Sequence, residues 1–195
     1  MRIRCASILL ATVCLAAVAS TQLKYFPDGT LDPDPERAAR RVKWYSDELT
    51  QLKEPSLLEP QVGASAESDR FLWLRSFHAD MCIRLDVNGD GTSRVTTKIT
   101  ADKPATGKAK TTRVTQVTKE QTASFLAIVD QNGFWKLLTF DSYRGLDGTV
   151  WIIEGTKGGT YHVVDRWTPK DENVRAIGFA MLNDLANLNI SHRAD

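Results

Sequence analysis

Short segments that alternate apolar and polar residues restrict the fold of this chain more than any other feature. From Phe71 onward they read FLWLRSF, MCIRLDV and SRVTTKIT, and near the C-terminus they read TVWIIEG and TYHVVDRW. A period of two residues is typical of strands that bury one face. With a further strand predicted near 112–117, the pattern indicates an antiparallel sheet of about six strands.

Turn sequences divide these strands into two hairpin groups. Asn88-Gly89-Asp90-Gly91 separates the second strand from the third, and Lys157-Gly158-Gly159 separates the last two. Glycine, Asn and Asp tolerate the positive φ angles that tight hairpin turns require. Both pairs of strands are therefore predicted to be antiparallel hairpins.

Three helices are predicted around the sheet. The first begins at Asp34 and Pro35, runs to about Leu52 and has one apolar stripe. The second follows a capping box, Thr118 to Gln121, and ends near Gly133. The third is predicted to begin at Pro169. The apolar stripe of the first helix consists of Ala38, Val42, Tyr45, Leu49 and Leu52.

These elements predict an α+β fold with helices packed on one face of an antiparallel sheet, plus an N-terminal helix. The residues between Glu54 and Arg70 include Pro55, Pro60 and Gly63 and are interpreted as a linker. We therefore expect an N-terminal helix and linker over 20–70 and a single α+β domain over 71–190.

The N-terminus has the features of a secretory signal peptide. Arg2 and Arg4 precede an apolar run from Ala6 to Ala19, which is shorter than a membrane-spanning helix requires. Ala17-Val18-Ala19 supplies the small residues that signal peptidase accepts, so residues 1–19 are predicted to be removed. The expected location is periplasmic or secreted, with no membrane span in the remaining chain.

Charge does not select a partner for the whole chain, because 25 basic and 24 acidic residues nearly cancel. One region is basic: a single acidic residue, Asp102, lies among seven basic ones. This region can bind an anionic envelope surface, but lysines on a strand edge also prevent unwanted strand pairing, and we favour that second interpretation. No nucleic-acid partner is expected, since the tryptophans lie mainly in apolar runs. The basic residues are Arg94, Lys98, Lys103, Lys108, Lys110, Arg113 and Lys119.

The last hairpin contains the densest group of titratable residues on a predicted element, and these are the candidate ligand-binding residues: Glu154, His162, Asp165 and Arg166. If the turn has three residues, Glu154 lies opposite His162 with Arg166 on the same face, as an anion site or an acid–base pair requires. If it has two or four, Glu154 faces Tyr161, and His162 shares a face with Trp151 and Ile153. Polar residues that merely order the sheet are the third interpretation, and the one we favour.

Metal and cofactor motifs are weak or absent in the sequence. His78, His162 and His192 are scattered, and neither HExxH nor CxxC occurs. Asp86, Asn88 and Asp90 resemble the start of a calcium loop, but Thr97 occupies the twelfth position, where a glutamate is needed. A plain hairpin turn is therefore favoured there, and no cofactor is predicted.

Several strings resemble a family of uncharacterised exported bacterial proteins: FLWLRSFH, GFW, GLDGTVWIIEG and TYHVVDRWTP, within 71–188. This resemblance implies export and supports the domain boundary, but it implies no reaction. In the order of its elements alone, the chain is also similar to small α+β protease inhibitors of the emfourin type.

Three functions are consistent with the sequence. The first is an exported, non-catalytic binding or inhibitory module whose partner is an envelope or extracellular protein. The second is a small hydrolase that uses Glu154 and His162 as acid and base, with Arg166 holding an anionic group. The third is attachment to an anionic envelope surface through the basic region.

Overall fold

The structure is a computed structural model that describes residues 23–59, 65–101 and 109–191. The predicted signal peptide lies outside these residues, as do Pro60 and Gly63 of the predicted linker, Lys103 and Lys108 of the basic region, and His192.

Within these ranges, six antiparallel strands form one open sheet with the order β4-β3-β2-β1-β5-β6. The α+β fold with a six-stranded antiparallel sheet is therefore confirmed. β1 begins at Glu67 rather than at Phe71, and β4 begins at Ala109 rather than near Thr112. The strands are β1 Glu67–Arg75, β2 Met81–Val87, β3 Ser93–Thr100, β4 Ala109–Val117, β5 Thr149–Lys157 and β6 Thr160–Trp167.

In the described part of the chain, three α-helices accompany the sheet: α1 Pro35–Gln51, α2 Lys119–Gln131 and α3 Glu172–Phe179. The capping box of α2 is confirmed, because the Thr118 side chain accepts from the Gln121 N–H at 3.1 Å and the Gln121 side chain accepts from the Thr118 N–H at 2.9 Å. The predicted start of the last helix at Pro169 is wrong. Asp171 caps that helix by accepting from the Asn173 N–H at 2.9 Å, so regular structure begins two residues after Lys170.

One face of the sheet packs against α2, α3 and two short elements, a 3₁₀ turn at Phe134–Lys136 and a π-helical segment at Ala180–Leu185. Three aromatic rings of β1 and β5 form the centre of this core, namely Phe71, Trp73 and Trp151. Gly178 allows α3 to pack closely against the Trp151 ring, since an added Cβ atom at this position would lie 2.7 Å from Cε3 of Trp151.

The opposite face packs against α1 and the segment before it. Four residues of the predicted stripe are buried there, and Val42 is partly buried. Cys82 of β2 is buried in the same layer, and burial raises the pKa of its thiol. The sheet is therefore enclosed between helices on both sides. None of the helices within the described ranges is both long and apolar enough to cross a bilayer.

Candidate functional site

The turn between β5 and β6 determines where the candidate residues of the last hairpin lie. Lys157 pairs with Thr160, which leaves a two-residue turn of Gly158 and Gly159 with φ angles of 55° and 79°. Two successive positive φ angles are typical of the tight turns that glycine favours. The three-residue turn is therefore wrong, and the two-residue turn is confirmed, but the expected pairing of Glu154 with Tyr161 is wrong, because Glu154 pairs with Val163 and Tyr161 pairs with Thr156.

This register places the candidate residues on opposite faces of the sheet. Glu154 pairs with Val163 in the sheet. Its side chain lies on the face that α1 covers, and so does the side chain of Asp165. His162 pairs with Gly155 and contacts Phe134 on the α2 side, where Arg166 also lies. Because successive residues of a strand point to opposite faces, Glu154 and His162 do not form an acid–base pair here.

Glu154 is fully buried in an ion pair with Arg70 of β1. Nε and Nη2 of Arg70 donate to Oε2 of Glu154 at 2.8 and 2.6 Å, and the Tyr161 hydroxyl donates to Oε1 at 2.9 Å. Burial raises the pKa of Glu154, while Arg70 and Tyr161 act in the opposite direction. With its oxygens engaged and no exposed surface, this carboxylate orders the sheet.

A second carboxylate, Glu54, extends the same layer of charge across the sheet. It lies after α1, and its oxygens contact Arg84 Nε at 2.9 Å and Lys98 Nζ at 2.7 Å, with Arg70 Nη1 at 3.9 Å. These cations belong to β2, β3 and β1 respectively. We call this group, Glu54 with Arg70, Arg84, Lys98 and Glu154, the buried charge network. It fixes the chain after α1 onto the sheet.

Asp165 and Arg166 fasten the segment 137–148 along the outer edge of β6, and we call this segment the edge loop. Asp165 accepts from Arg144 of the loop at 2.9 Å and from the Tyr45 hydroxyl of α1 at 3.3 Å. Burial raises the pKa of Asp165, and Arg144 opposes that shift. Arg166 donates to the carbonyl oxygens of Leu138 and Thr139 at 2.7 and 3.1 Å. Both side chains are therefore occupied within the chain.

His162 borders a cavity of about 490 Å³ beside the turn end of the last hairpin. Its ring lies edge-on to Phe134, with the centroids 5.0 Å apart. Burial lowers the pKa of His162, and Arg166 contributes to this, while hydrogen bonds to the backbone of Leu137 and Phe134 oppose it. The cavity is lined by Asp130, Trp135, Lys157, Thr160, Tyr161 and His162.

Asp69 of β1 lies in the same cross-strand row as His162, with Gly155 between them. An added Cβ atom at Gly155 would lie 3.0 Å from Oδ1 of Asp69 and 3.1 Å from Cη2 of Trp135. The glycine therefore leaves room for the carboxyl beside the Trp135 ring. Burial raises the pKa of Asp69 well above its ordinary value, and Glu67 adds to the shift.

The residues that resembled a calcium loop form a hairpin turn instead. Val87 pairs with Ser93, and the Asn88 N–H donates to the Thr92 carbonyl oxygen at 2.8 Å. Asp86 is buried and accepts from Arg84 and from Arg94, the latter at 3.1 Å. Within the described ranges, no three His, Cys, Asp or Glu side chains are grouped so as to hold a metal ion.

Several residues of the basic region are engaged inside the chain. Lys98 contacts Glu54, Arg94 contacts Asp86, and Arg113 donates to the carbonyl oxygen of Ala186. Lys110 and Lys119 are exposed. Among the described residues of this region, two cations are therefore paired with carboxylates, and Lys110, Arg113 and Lys119 remain exposed.

Exposed apolar side chains concentrate around the edge loop. Of the six large hydrophobic residues that are exposed in the described ranges, three belong to this loop, and Phe77 lies beside its end. Phe77 is placed there because the neighbouring Ser76 exchanges hydrogen bonds with Gly148. We call this group, Phe77, Leu138, Tyr143 and Leu146, the apolar edge.

Sequence reasoning missed three residues that organise both faces: Glu54, Asp69 and Arg70. All three were assigned to the linker, because Pro55, Pro60 and Gly63 suggest irregular structure. The available signal was a period of two residues. Ser68 and Arg70 stand at the same alternate positions as Leu72 and Leu74, and this pattern extends the first strand toward the N-terminus.

Comparison with known proteins adds no family to this description. No family model matches the sequence, and no curated protein matches it. The resemblance to a family of exported proteins therefore stays a prediction.

Proposed function

We propose that this chain is an exported binding or inhibitory module and that it recognises a protein partner through the apolar edge. The observation that supports this most is that four large apolar residues of the apolar edge are exposed together, among them Leu146, which is 97% exposed. Clusters of exposed large apolar residues are typical of interaction sites, whereas single ones are ordinary.

The support given to the edge loop also favours recognition. Arg144 pairs with Asp141 at 2.8 Å and with Asp165 at 2.9 Å, which ties the loop to β6. Within the loop, the centroid of the Phe140 ring lies 4.8 and 5.0 Å from the guanidinium carbons of Arg41 and Arg144. A loop that is held in place before binding loses less conformational entropy when a partner arrives.

The arrangement of the last hairpin favours binding over hydrolysis. Glu154 and Asp165 are paired in buried ion clusters, and His162 lies on the other face from Glu154. Hydrolysis by an acid–base pair requires both groups at one substrate. The proposal therefore does not include the hydrolase alternative.

Site-directed crosslinking tests this proposal. A photo-crosslinking amino acid replaces Leu146 in one variant and Val114 in a control, because Val114 is also an exposed apolar residue but lies on β4. We expect the first variant, and not the second, to crosslink a specific envelope or extracellular protein. With that partner purified, L146D should weaken binding at least tenfold and V114D should leave it unchanged.

Equal crosslinking from both positions, or undiminished binding of L146D, would contradict the proposal. Export is tested separately by N-terminal sequencing of the protein from the exported fraction. We expect that sequence to begin at Ser20, and an intact leader on a cytosolic protein would count against export.

A further inference from the structure

The two edges of the sheet differ, because one is covered and the other is open. At the β6 edge, the Asp165 N–H donates to the Thr139 carbonyl oxygen at 2.7 Å, so the edge loop covers that strand. At the other edge, β4 pairs with β3, and no further strand of the described ranges pairs with it. An open edge presents unpaired backbone N–H and C=O groups, which can pair with another chain.

β4 is also exposed on both of its faces. Residues 110–116 are all exposed, so neither helix layer covers this strand. Its sequence, AKTTRVTQV, contains no proline and no glycine, and five of its nine residues are the β-branched residues that strands favour. A regular strand with one neighbour gains backbone hydrogen bonds from a second one. β4 is therefore suited to pairing between chains.

Pairing of β4 with a second copy of itself allows few registers. A two-fold axis perpendicular to the sheet places one residue opposite its own copy. With the axis at Arg113, two arginines lie directly opposite each other, which is unfavourable. With the axis at Val114, which is 59% exposed, two apolar side chains meet and Arg113 lies opposite Thr115. Axes nearer either end of β4 pair fewer residues, so the register centred on Val114 is the favoured one.

Opposite charges meet at both ends of β4 in this register. Lys110 lies opposite Thr118 of the second copy, and Thr118 continues the strand with extended backbone, at φ −72° and ψ 162°. The Glu120 carboxylate lies beside the Thr118 side chain, and both Lys110 and Glu120 are exposed. The two-fold axis produces this pair of charges twice. The Arg113 side chain is directed away from the axis, because it donates to the Ala186 carbonyl oxygen.

We propose that β4 pairs antiparallel with β4 of a second copy of this chain, with the two-fold axis at Val114. The two six-stranded sheets then form one continuous sheet. The apolar edge lies beside β6, at the other end of the strand order, so the dimer leaves it accessible. This inference is therefore independent of the function proposed above. A crosslinker at Val114 is expected to reach a second copy of the chain and no other protein.

Cysteine crosslinking tests the register. V114C should form an intermolecular disulfide under mild oxidation, because directly opposite residues have Cβ atoms roughly 4.5–5.5 Å apart. T112C is the matched control, since Thr112 is exposed on the same face but lies opposite Gln116 of the second copy. It should form no such disulfide. Cys82 is buried and does not compete. Equal crosslinking of the two variants would overturn the proposal.

Sedimentation equilibrium of the purified protein at low salt tests the dimer itself. We expect a monomer–dimer equilibrium, in which K110E and E120K each weaken association roughly tenfold, because two attractive pairs become repulsive. The double variant K110E/E120K should restore it, since the charges are then exchanged. K43E is the matched control, because Lys43 is exposed on α1 and pairs with Asp47 there. It should associate as the unaltered chain does.

A monomer at every concentration up to the millimolar range would overturn the proposal. A double variant that stays as weak as the single ones would do the same. Retention of a monomer on phosphatidylglycerol vesicles, lost in K110E, would instead assign this edge to an anionic surface. Circular dichroism of each variant confirms folding, and if a charge variant fails to fold, the comparison of V114C with T112C decides.

Discussion

Replacing Glu154 with glutamine tests whether the buried charge network is structural. The substitution keeps the shape of the side chain and removes its charge, while Arg70 stays buried with no exposed surface. In the unaltered chain the Glu154 carboxylate accepts three hydrogen bonds, two from Arg70 and one from Tyr161. In the variant the same donors meet a neutral amide. The amide oxygen can still accept, but the amide NH2 group is itself a donor and faces another donor.

The expected loss of stability follows from these contacts. Bonds to charged groups are worth roughly 1 kcal/mol more than neutral ones, so three of them amount to about 3 kcal/mol. That figure is the lower end of the roughly 3–5 kcal/mol lost when a buried pair keeps only one partner. For a chain of this length, about 3 kcal/mol corresponds to a decrease in Tm of roughly 6–12 °C.

Urea unfolding measured by circular dichroism and tryptophan fluorescence gives the free energy of unfolding. E36Q is the matched control, because Glu36 pairs with Arg40 on the surface of α1, and it should leave the midpoint unchanged. The double variant R70M/E154L should recover part of the loss, since it leaves no buried charge from this pair. A loss below about 1 kcal/mol for E154Q would refute the structural role. Loss of an enzymatic activity without loss of stability would instead restore the hydrolase alternative.

Two further predictions concern the other face of the sheet. Burial, together with Glu67, raises the pKa of Asp69, so ionisation of this carboxyl opposes folding. D69N should therefore be more stable than the unaltered chain at pH 7.5, and this advantage should decrease on acidification and vanish below the unfolded-state pKa of about 3.9. Urea unfolding at pH 3.5 and 7.5 measures it, and an advantage that does not depend on pH would contradict the reasoning. G178A should lower stability by roughly 1–2 kcal/mol, because crowding against Trp151 outweighs the gain in helix propensity. Thermal unfolding measures this change. An increase in Tm for G178A would mean that α3 shifts away from Trp151, and it would contradict the prediction.

Local patterns predicted most of the fold. The strands of the hairpin from Met81 to Thr100 begin and end at the predicted residues, since alternation and an Asn-Gly turn agree there. The capping box likewise located the start of α2. The last helix was placed too early, because proline favours a first turn but Asp171 supplies the side-chain cap.

The candidate site was less predictable, because it depends on a register that changes with one residue. Including Lys157 in the turn would place Glu154 and His162 together, and excluding it separates them by the thickness of the sheet. The Gly158-Gly159 pair was the available signal, since two glycines suit a turn with two positive φ angles. Asp69 could not be found from local sequence, because its environment is made by Gly155, Phe134 and Trp135, which lie far along the chain.

The position of Glu54 also determines how short a fragment of this protein can be. One carboxylate contacts cations on three neighbouring strands, so trimming the chain at Phe71 would remove more than a covering helix. Arg84 and Lys98 would lose Glu54, the carboxylate that both contact. The same truncation would expose the apolar surface around Cys82 to water. We therefore expect that a fragment for expression, crystallisation or limited proteolysis has to keep residues 23–59 together with the six described strands.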